Sequence, residues 1–279
     1  MTTISALELI RAHRWSRLFF TTYSLSLSFF ESVVLDAIVR QEIGATTVLA
    51  DVVGIRAAME EYGAQAAGRL YDVEPVVVKD GCFHPKMLAL TSESDAHLMI
   101  GSGNLTFGGW GSNLECLEHL HPTFAADAFE DAAGFLRSLA EVERVSHDSS
   151  EGCIDLARSL TRSAAGQSHS GQIRLVHSLG ASILDQLTGF AEDLGGAKRL
   201  VVVSPFFAGN AIDLICSRLG LNHAHVHAHD GGIVAGTAGS NWPAEATTRV
   251  FPVMLDSLRE SKCSTIASKR RRSWTEHPL

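Results

Sequence analysis

His84 and Lys86 stand two residues apart as an H-x-K triplet. Side chains alternate along an extended chain, so the imidazole and the ammonium share one face. Seventeen residues after His84 comes Gly101-Ser102-Gly103-Asn104, a G-S-x-N, and Asn113 and Glu115 follow as N-x-E. These residue types suit the cleavage of a phosphodiester. A neutral imidazole can attack phosphorus and form a covalent phospho-enzyme, which splits one hard step into two. The Lys86 ammonium is a fixed positive charge for the phosphoryl oxygens. Asn104 offers amide donors without charge, and Ser102 a hydroxyl. Gly101 and Gly103 let the backbone come close to a ligand or a neighbouring strand. The scheme asks for no metal and no cofactor.

The surrounding pattern positions these groups. Residues 87–90 are an apolar strand, 91–95 a polar turn and 97–100 the return strand. His84 then starts a hairpin, Asn104 lies just past its end, and both meet on one edge of a sheet. A bare H-x-K is satisfied equally well by a buried hairpin whose His and Lys happen to alternate. H-x-K, hairpin, G-S-x-N and N-x-E in that order are far more specific.

This order resembles the HKD motif of the phospholipase D superfamily. The resemblance implies that His84 is the nucleophile and that Lys86 and Asn104 bind phosphate. It implies that Glu115 is the downstream acid that holds a partner histidine. Thr91 stands where the family has an Asp five residues after the Lys, and the hairpin exceeds the usual spacing. The run GSGNLTFGGWGSNLE resembles a bacterial branch of the superfamily and, more faintly, the tyrosyl-DNA phosphodiesterases. That branch often accompanies restriction or helicase systems, which favours DNA over lipid as the substrate. The resemblance thus implies a metal-independent nuclease working through a phosphohistidine. Trp110 and Phe107 follow Asn104 closely; Trp110 in particular could wall the cleft and stack on a base. Packing beneath the motif is the commoner fate of such aromatics.

Composition bounds the rest. With 279 residues the chain suffices for one large domain or two half-sized ones. Hydrophobic residues make up 46% and charged residues 19%, as in folded soluble proteins. The net charge of −8 is not that of a protein that coats DNA. A nuclease can still confine positive potential to its cleft. The five cysteines (82, 116, 153, 216 and 263) include no C-x-x-C and read as reduced thiols. Cys82 reads as a packing residue beside the motif. Glu8, Arg11, His13 and Arg14 interrupt any apolar leader, and no apolar run is long enough to span a bilayer. Cytoplasm without membrane insertion is the expectation.

Strands and helices alternate ahead of the motif. Residues 3–14 read as a short helix, 17–23 as a buried strand and 29–41 as a helix. Residues 46–53 then read as a strand, 55–67 as a helix and 73–78 as a strand. After it come a strand at 116–120 and helices at 127–145 and 152–163. The expected fold is α/β: a phospholipase D-like sandwich with a mostly parallel sheet flanked by helices. Residues 164–171 (AAGQSHSG) read as a linker. Beyond them the opening repeats. RLVVVSPFF at 199–207 matches RLFFTTY at 17–23, followed again by a helix (211–219) and a strand (225–229). The expected domains are 1–163, carrying the motif, and 172–279, an incomplete second copy.

The second copy lacks its own motif. Sixty-five residues separate Phe19 from His84, and the same interval from Val201 reaches Ile266, where no histidine stands. No H-x-K occurs after residue 172, and Gly239-Ser240-Asn241 lacks the spacing of G-S-x-N. The chain closes on a basic stretch with Arg270, Arg271 and Arg272, which could bind nucleic acid or be incidental. A truncation, a fragment or a shifted reading frame is expected there. His223, His225, His227 and His229 alternate on one strand face, where zinc or nickel could bind; a solvated face is the plainer reading. Catalysis needs a second histidine to protonate the leaving oxygen, from a homodimer or from a partner chain. The alternative is a truncated or degenerate, non-catalytic relative that binds nucleic acid or a partner protein.

Overall fold

The computed structural model describes residues 5–79, 81–142, 145–204, 210–222, 224–228 and 247–250. It divides into two compact units after Gly180. In the first, α1 (Ala6–Ala12) opens with a reciprocal cap between Ser5 and Glu8. Next come β1 (Arg17–Thr22), α2 (Leu27–Phe29), a π-helical segment (Phe30–Val34) and α3 (Leu35–Arg40). Then follow β2 (Ala45–Asp51), α4 (Val52–Ala58), β3 (Asp72–Val76), β4 (Met87–Thr91) and β5 (Ala96–Gly101). A second π-helical segment (Gly108–Ser112), β6 (Leu117–Leu120), α5 (Pro122–Ala140) and α6 (His147–Ala164) complete the unit.

The six strands form one sheet in the order β3-β2-β1-β4-β5-β6. Alternation along its central strands sends side chains to two separate cores. Phe19, Leu49, Met87, Ala89 and Leu98 meet Phe129, Leu136, Leu156 and Leu160 of α5 and α6 on one face. Leu18, Phe20, Val48, Leu88, Leu90 and Met99 meet Leu9, Ile10, Phe30, Val34 and Ile38 on the other. The sheet is thus covered by helices on both sides, as the α/β reading requires. Among the described residues no helix is long and apolar enough to cross a membrane.

Several boundaries and one topological detail differ from expectation. The sheet is mixed: β1, β2 and β3 are parallel, whereas β4, β5 and β6 join antiparallel. The short turn at 92–95 cannot carry a parallel crossover, which needs a dozen residues or more. The helix expected at 55–67 ends at Ala58, and Gly63 and Gly68 take left-handed φ of +100° and +71° in the following loop. Glu31 holds that loop by accepting from the backbone N–H of Gln65, Ala66 and Ala67. α5 starts five residues early, because His121 caps it and Pro122 occupies its first turn. The stretch read as a linker, 164–171, belongs to the first unit. Gly171 N–H and His169 bond Asp127, and Arg174 and the Leu175 N–H bond Asp131, both on α5.

The second unit contains α7 (Ile183–Asp193), β7 (Leu200–Val203), α8 (Ala211–Arg218), β8 (Ala224–Ala228) and β9 (Thr247–Val250). Its strands are all parallel with β8 in the middle. The order α7, β7, α8, β8 repeats that of α1, β1, α2–α3 and β2. Ile212, Cys216, Ala224 and Val226 form its small core. His225 is exposed beside buried Val226, while His223, His229, Gly239-Ser240-Asn241, Cys263, Ile266 and the Arg270–Arg272 stretch lie outside the described residues.

Two glycines test the packing in opposite directions. A Cβ on Gly101 would lie 2.3 Å from the Cys116 carbonyl oxygen, so β6 would have to move. A Cβ on Gly134, inside α5, meets nothing within 4 Å. Gly101→Ala is expected to cost roughly 1–3 kcal/mol, as overpacking does. Gly134→Ala is expected to add about 0.5–1 kcal/mol through helix propensity. Urea unfolding of both variants beside the wild type measures the two signs.

Candidate active site

The ends of four strands converge at one edge of the sheet. β4 runs antiparallel to β1, so Met87 at its start pairs with Thr21 at the end of β1. Met87 also pairs with Ile100 near the end of β5, and the Gly101 N–H donates to the Lys86 carbonyl. β2 ends alongside at Asp51. The carboxyl ends of β1, β2 and β5 and the entry to β4 therefore share an edge, the usual location of a site in an open α/β sheet.

His84 and Lys86 lie in the segment entering β4 rather than in the strand itself. Lys86 Nζ is 2.9 Å from Nδ1 and 3.3 Å from Nε2 of His84 and donates to the His84 carbonyl at 3.1 Å. The Tyr23 ring packs on the imidazole at 4.8 Å between centroids. Partial loss of water, then the adjacent ammonium, lowers the His84 pKa, while the charge of Asp51 opposes them. Partial burial also lowers Lys86, with Glu115 pulling the other way. Both effects on His84 favour the neutral imidazole beside the Lys86 cation.

Glu115 lines a cleft with Lys86, and Ser102 is bonded to Glu115. Ser102 Oγ donates to Glu115 Oε2 at 2.5 Å and accepts from the Cys116 N–H at 2.9 Å. Asn113 Nδ2 donates to Glu115 Oε1 at 3.3 Å. Glu115 is thus bonded to Ser102 and Asn113, with no imidazole bonded to it among the described residues. Asn104 turns its Oδ1 to the Ser24 N–H at 3.0 Å. A backbone donor there fixes the amide orientation, so Nδ2 is left to donate elsewhere. Gly101 and Gly103 serve close backbone approach: a Cβ on Gly103 would lie 2.5 Å from the Gly109 carbonyl oxygen.

Lys86, Gly101, Gly103, Trp110 and Glu115 line a shallow cleft of about 280 Å³, which His84 does not line. Trp110 sits in the π-helical segment and packs on Phe29 and Phe20, at 5.8 and 6.4 Å between centroids. Its ring is half committed to the core beneath the motif. Phe107, packed edge-on against Phe29, is the more exposed aromatic at 56%. Cys82, expected to be packed, is exposed, because the segment before Phe83 runs over the surface. Thr91 is buried in β4 at the far end of the strand from His84.

Two residues of this edge escaped the sequence reading. Asp51 is 3% exposed; its Oδ2 accepts from the Phe83 N–H and its Oδ1 from the Val53 N–H, both at 2.8 Å. It fixes the backbone one residue before His84. A lone carboxylate inside the apolar run Val48–Val53 was its signal. Tyr23, which seats the His84 ring, directly follows the last residue of β1.

No protein-family model matches the chain, and no curated protein does. Solved structures with partial likeness include NucT from Helicobacter pylori, 14% identical over 40% of this chain and 72% of that one, with a TM-score of 0.29. Nuc from Salmonella typhimurium, described as a phospholipase D family member, is 15% identical over 50% and 86%, with a TM-score of 0.37. Polyphosphate kinase from Porphyromonas gingivalis is 12% identical over 89% and 39%, with a TM-score of 0.44. Overlaps of this extent leave the site to be read from its own residues.

Two outcomes follow from this geometry. His84 should titrate by NMR below its ordinary 6.5, and Lys86→Met should raise that midpoint. Because the folded value is the lower one, the associated stability is complete above 6.5 and is lost as pH falls through the folded midpoint. His84→Gln should remove this component from the pH–stability curve. Asp51→Ala leaves two backbone donors unpaired and is expected to cost roughly 1.5–3 kcal/mol in urea unfolding.

Proposed function

We propose that the protein is a phospholipase D-like phosphodiesterase, acting on DNA without a metal in the chemical step. The observation that carries this reading is the His84 imidazole held within hydrogen-bond reach of the Lys86 ammonium, whose charge helps to lower the imidazole's pKa and so favours its neutral form. A protonated imidazole has no lone pair for phosphorus; this one keeps it beside a charge suited to the phosphoryl oxygens.

In the proposed reaction a phosphodiester lies with its non-bridging oxygens toward Lys86 Nζ and Asn104 Nδ2. A His84 ring nitrogen attacks phosphorus; the P–N bond forms as the P–O bond to the leaving group breaks. A general acid protonates the departing oxygen. Water then attacks the phosphohistidine, giving a phosphomonoester and restoring the imidazole. Glu115 acts through Ser102 and through its field at Lys86 rather than on phosphorus. The acid is a second imidazole from another chain, either a second copy related by a two-fold axis or a partner. The parallel β7-β8-β9 order supports reading the second unit as a partial repeat of β1-β2-β3, and its sequence holds no H-x-K. The four free cysteines among the described residues are in keeping with the cytoplasm.

The absence of a second H-x-K favours one other reading, a relative that binds nucleic acid or a partner without turnover. Cleavage of a chromogenic diester and of labelled single- and double-stranded DNA, with chelator present, separates the two. The enzyme reading expects chelator-resistant cleavage, an acid-labile phosphate on His84, and a mass in solution above that of the monomer. It expects His84→Ala to abolish turnover and Lys86→Ala to lower it roughly 10²–10³-fold. DNA binding without cleavage by a folded monomer supports the second reading. Cleavage that survives His84→Ala would sink the first.

A further inference from the structure

At the opposite end of the β4–β5 hairpin from His84, a second group of polar side chains converges. Asp95 closes the turn, His97 lies on β5, and His119 and His121 lie at the end of β6. His97 Nε2 is 3.2 Å from Asp95 Oδ2, and His121 Nε2 is 3.0 Å from Asp95 Oδ1. One donor atom from each of Asp95, His97 and His121 lies within 4.8 Å of the others. We propose that Asp95, His97 and His121 form a binding site for a divalent transition ion of the zinc class, with water as the fourth ligand.

The donor chemistry selects the ion. Two imidazoles and one carboxylate suit zinc, nickel or cobalt, whereas calcium and magnesium prefer oxygen donors. Zinc binds histidine nitrogen at about 2.0–2.1 Å and carboxylate oxygen at about 2.0–2.2 Å, so tetrahedral neighbours sit about 3.3–3.5 Å apart. The imidazole–carboxylate separations here need to open by only a few tenths of an ångström.

The outer partners of the two imidazoles are an independent observation. A ligating histidine nearly always donates its other N–H to a fixed acceptor. His97 Nδ1 is 2.7 Å from His119 Nε2, and His121 Nδ1 is 2.8 Å from Thr123 Oγ1. With the ion on both Nε2 atoms, His97 donates to His119, and His121 Nδ1 gives up the long 3.4 Å capping bond from the Thr123 N–H to donate to Thr123 Oγ1. The positions are also fixed from behind. Ser92 bonds the Asp95 backbone in both directions, and the Trp15 ring meets His97 edge-on at 5.4 Å. His97 is 14% exposed at its side chain, and His121 is 28% exposed. The ion would tie the hairpin turn to the end of β6 and the cap of α5.

The test uses the full chain, stripped with chelator and exchanged into chelator-free buffer. Calorimetric titration with zinc is expected to show a site that His97→Ala with His121→Ala abolishes, because a single carboxylate ligand remains. His225→Ala with His227→Ala should leave that site unchanged. Cobalt should give the visible absorption of a tetrahedral centre, and zinc should raise the midpoint of thermal unfolding. In the wild type, zinc should protect His97 and His121 from an imidazole-modifying reagent, read by mass spectrometry. This readout decides the matter if the double variant does not fold. No zinc uptake by the wild type, or protection confined to other histidines, would overturn the proposal.

Discussion

The Asp51 carboxylate is nearly excluded from water, which is costly for a charge unless donors replace the lost hydration. Two backbone N–H groups do so, one from the first turn of α4 and one from Phe83. Charge-assisted bonds of this kind are about twice as strong as neutral ones. The same carboxylate therefore ends β2, starts α4 and pins the segment that presents His84. Without that pin the H-x-K stretch would be a surface loop entering β4, free to drift by more than the proposed chemistry tolerates. The Thr21 hydroxyl continues the anchoring at the residue after Lys86, accepting from the Met87 N–H. The Tyr23 ring then limits the imidazole from the side.

What the sequence made legible is what local chemistry dictates. RLFFTT could only be a strand buried on both faces, and it is the centre of the sheet. The polar turn between two apolar runs fixed the β4–β5 hairpin, and with it the approach of Lys86 to Gly101. What stayed hidden depends on pairing across long intervals. Nothing local states that β4 will lie antiparallel beside β1, so the sheet read as mostly parallel. Asp51 carries no motif, because its role is set by Phe83, thirty-two residues away. The start of α5 was hidden differently. A histidine is an uncommon N-cap, so His121-Pro122 did not read as a helix start.

The candidate residues divide by what they do in the folded chain. Lys86 and His84 hold one another at the surface, as the proposed reaction requires. Gly101 and Gly103 face neighbouring backbone, so their identity is set by packing as much as by a ligand. Ser102 spends its proton on Glu115, and Asn104 spends its oxygen on the Ser24 N–H. Each thereby exchanges freedom for orientation. A side chain whose far atom is already bonded loses less entropy on meeting a ligand. Trp110 is limited in the same way by Phe20 and Phe29.

The hairpin is the element through which these features connect. One end presents Lys86 and Gly101 to the cleft, and the other holds Asp95 and His97 against β6. Its two strands lie in the middle of the sheet, packed between both cores, so neither end can shift alone. The histidine–carboxylate group fixes the turn from outside, and Asp51 fixes the entry from within. Register errors in a hairpin move every side chain to the opposite face. Here such a slip would send Leu88 and Leu90 into the core that Met87 and Ala89 fill and the reverse, so constraints at both ends protect the one geometry in which imidazole and ammonium meet.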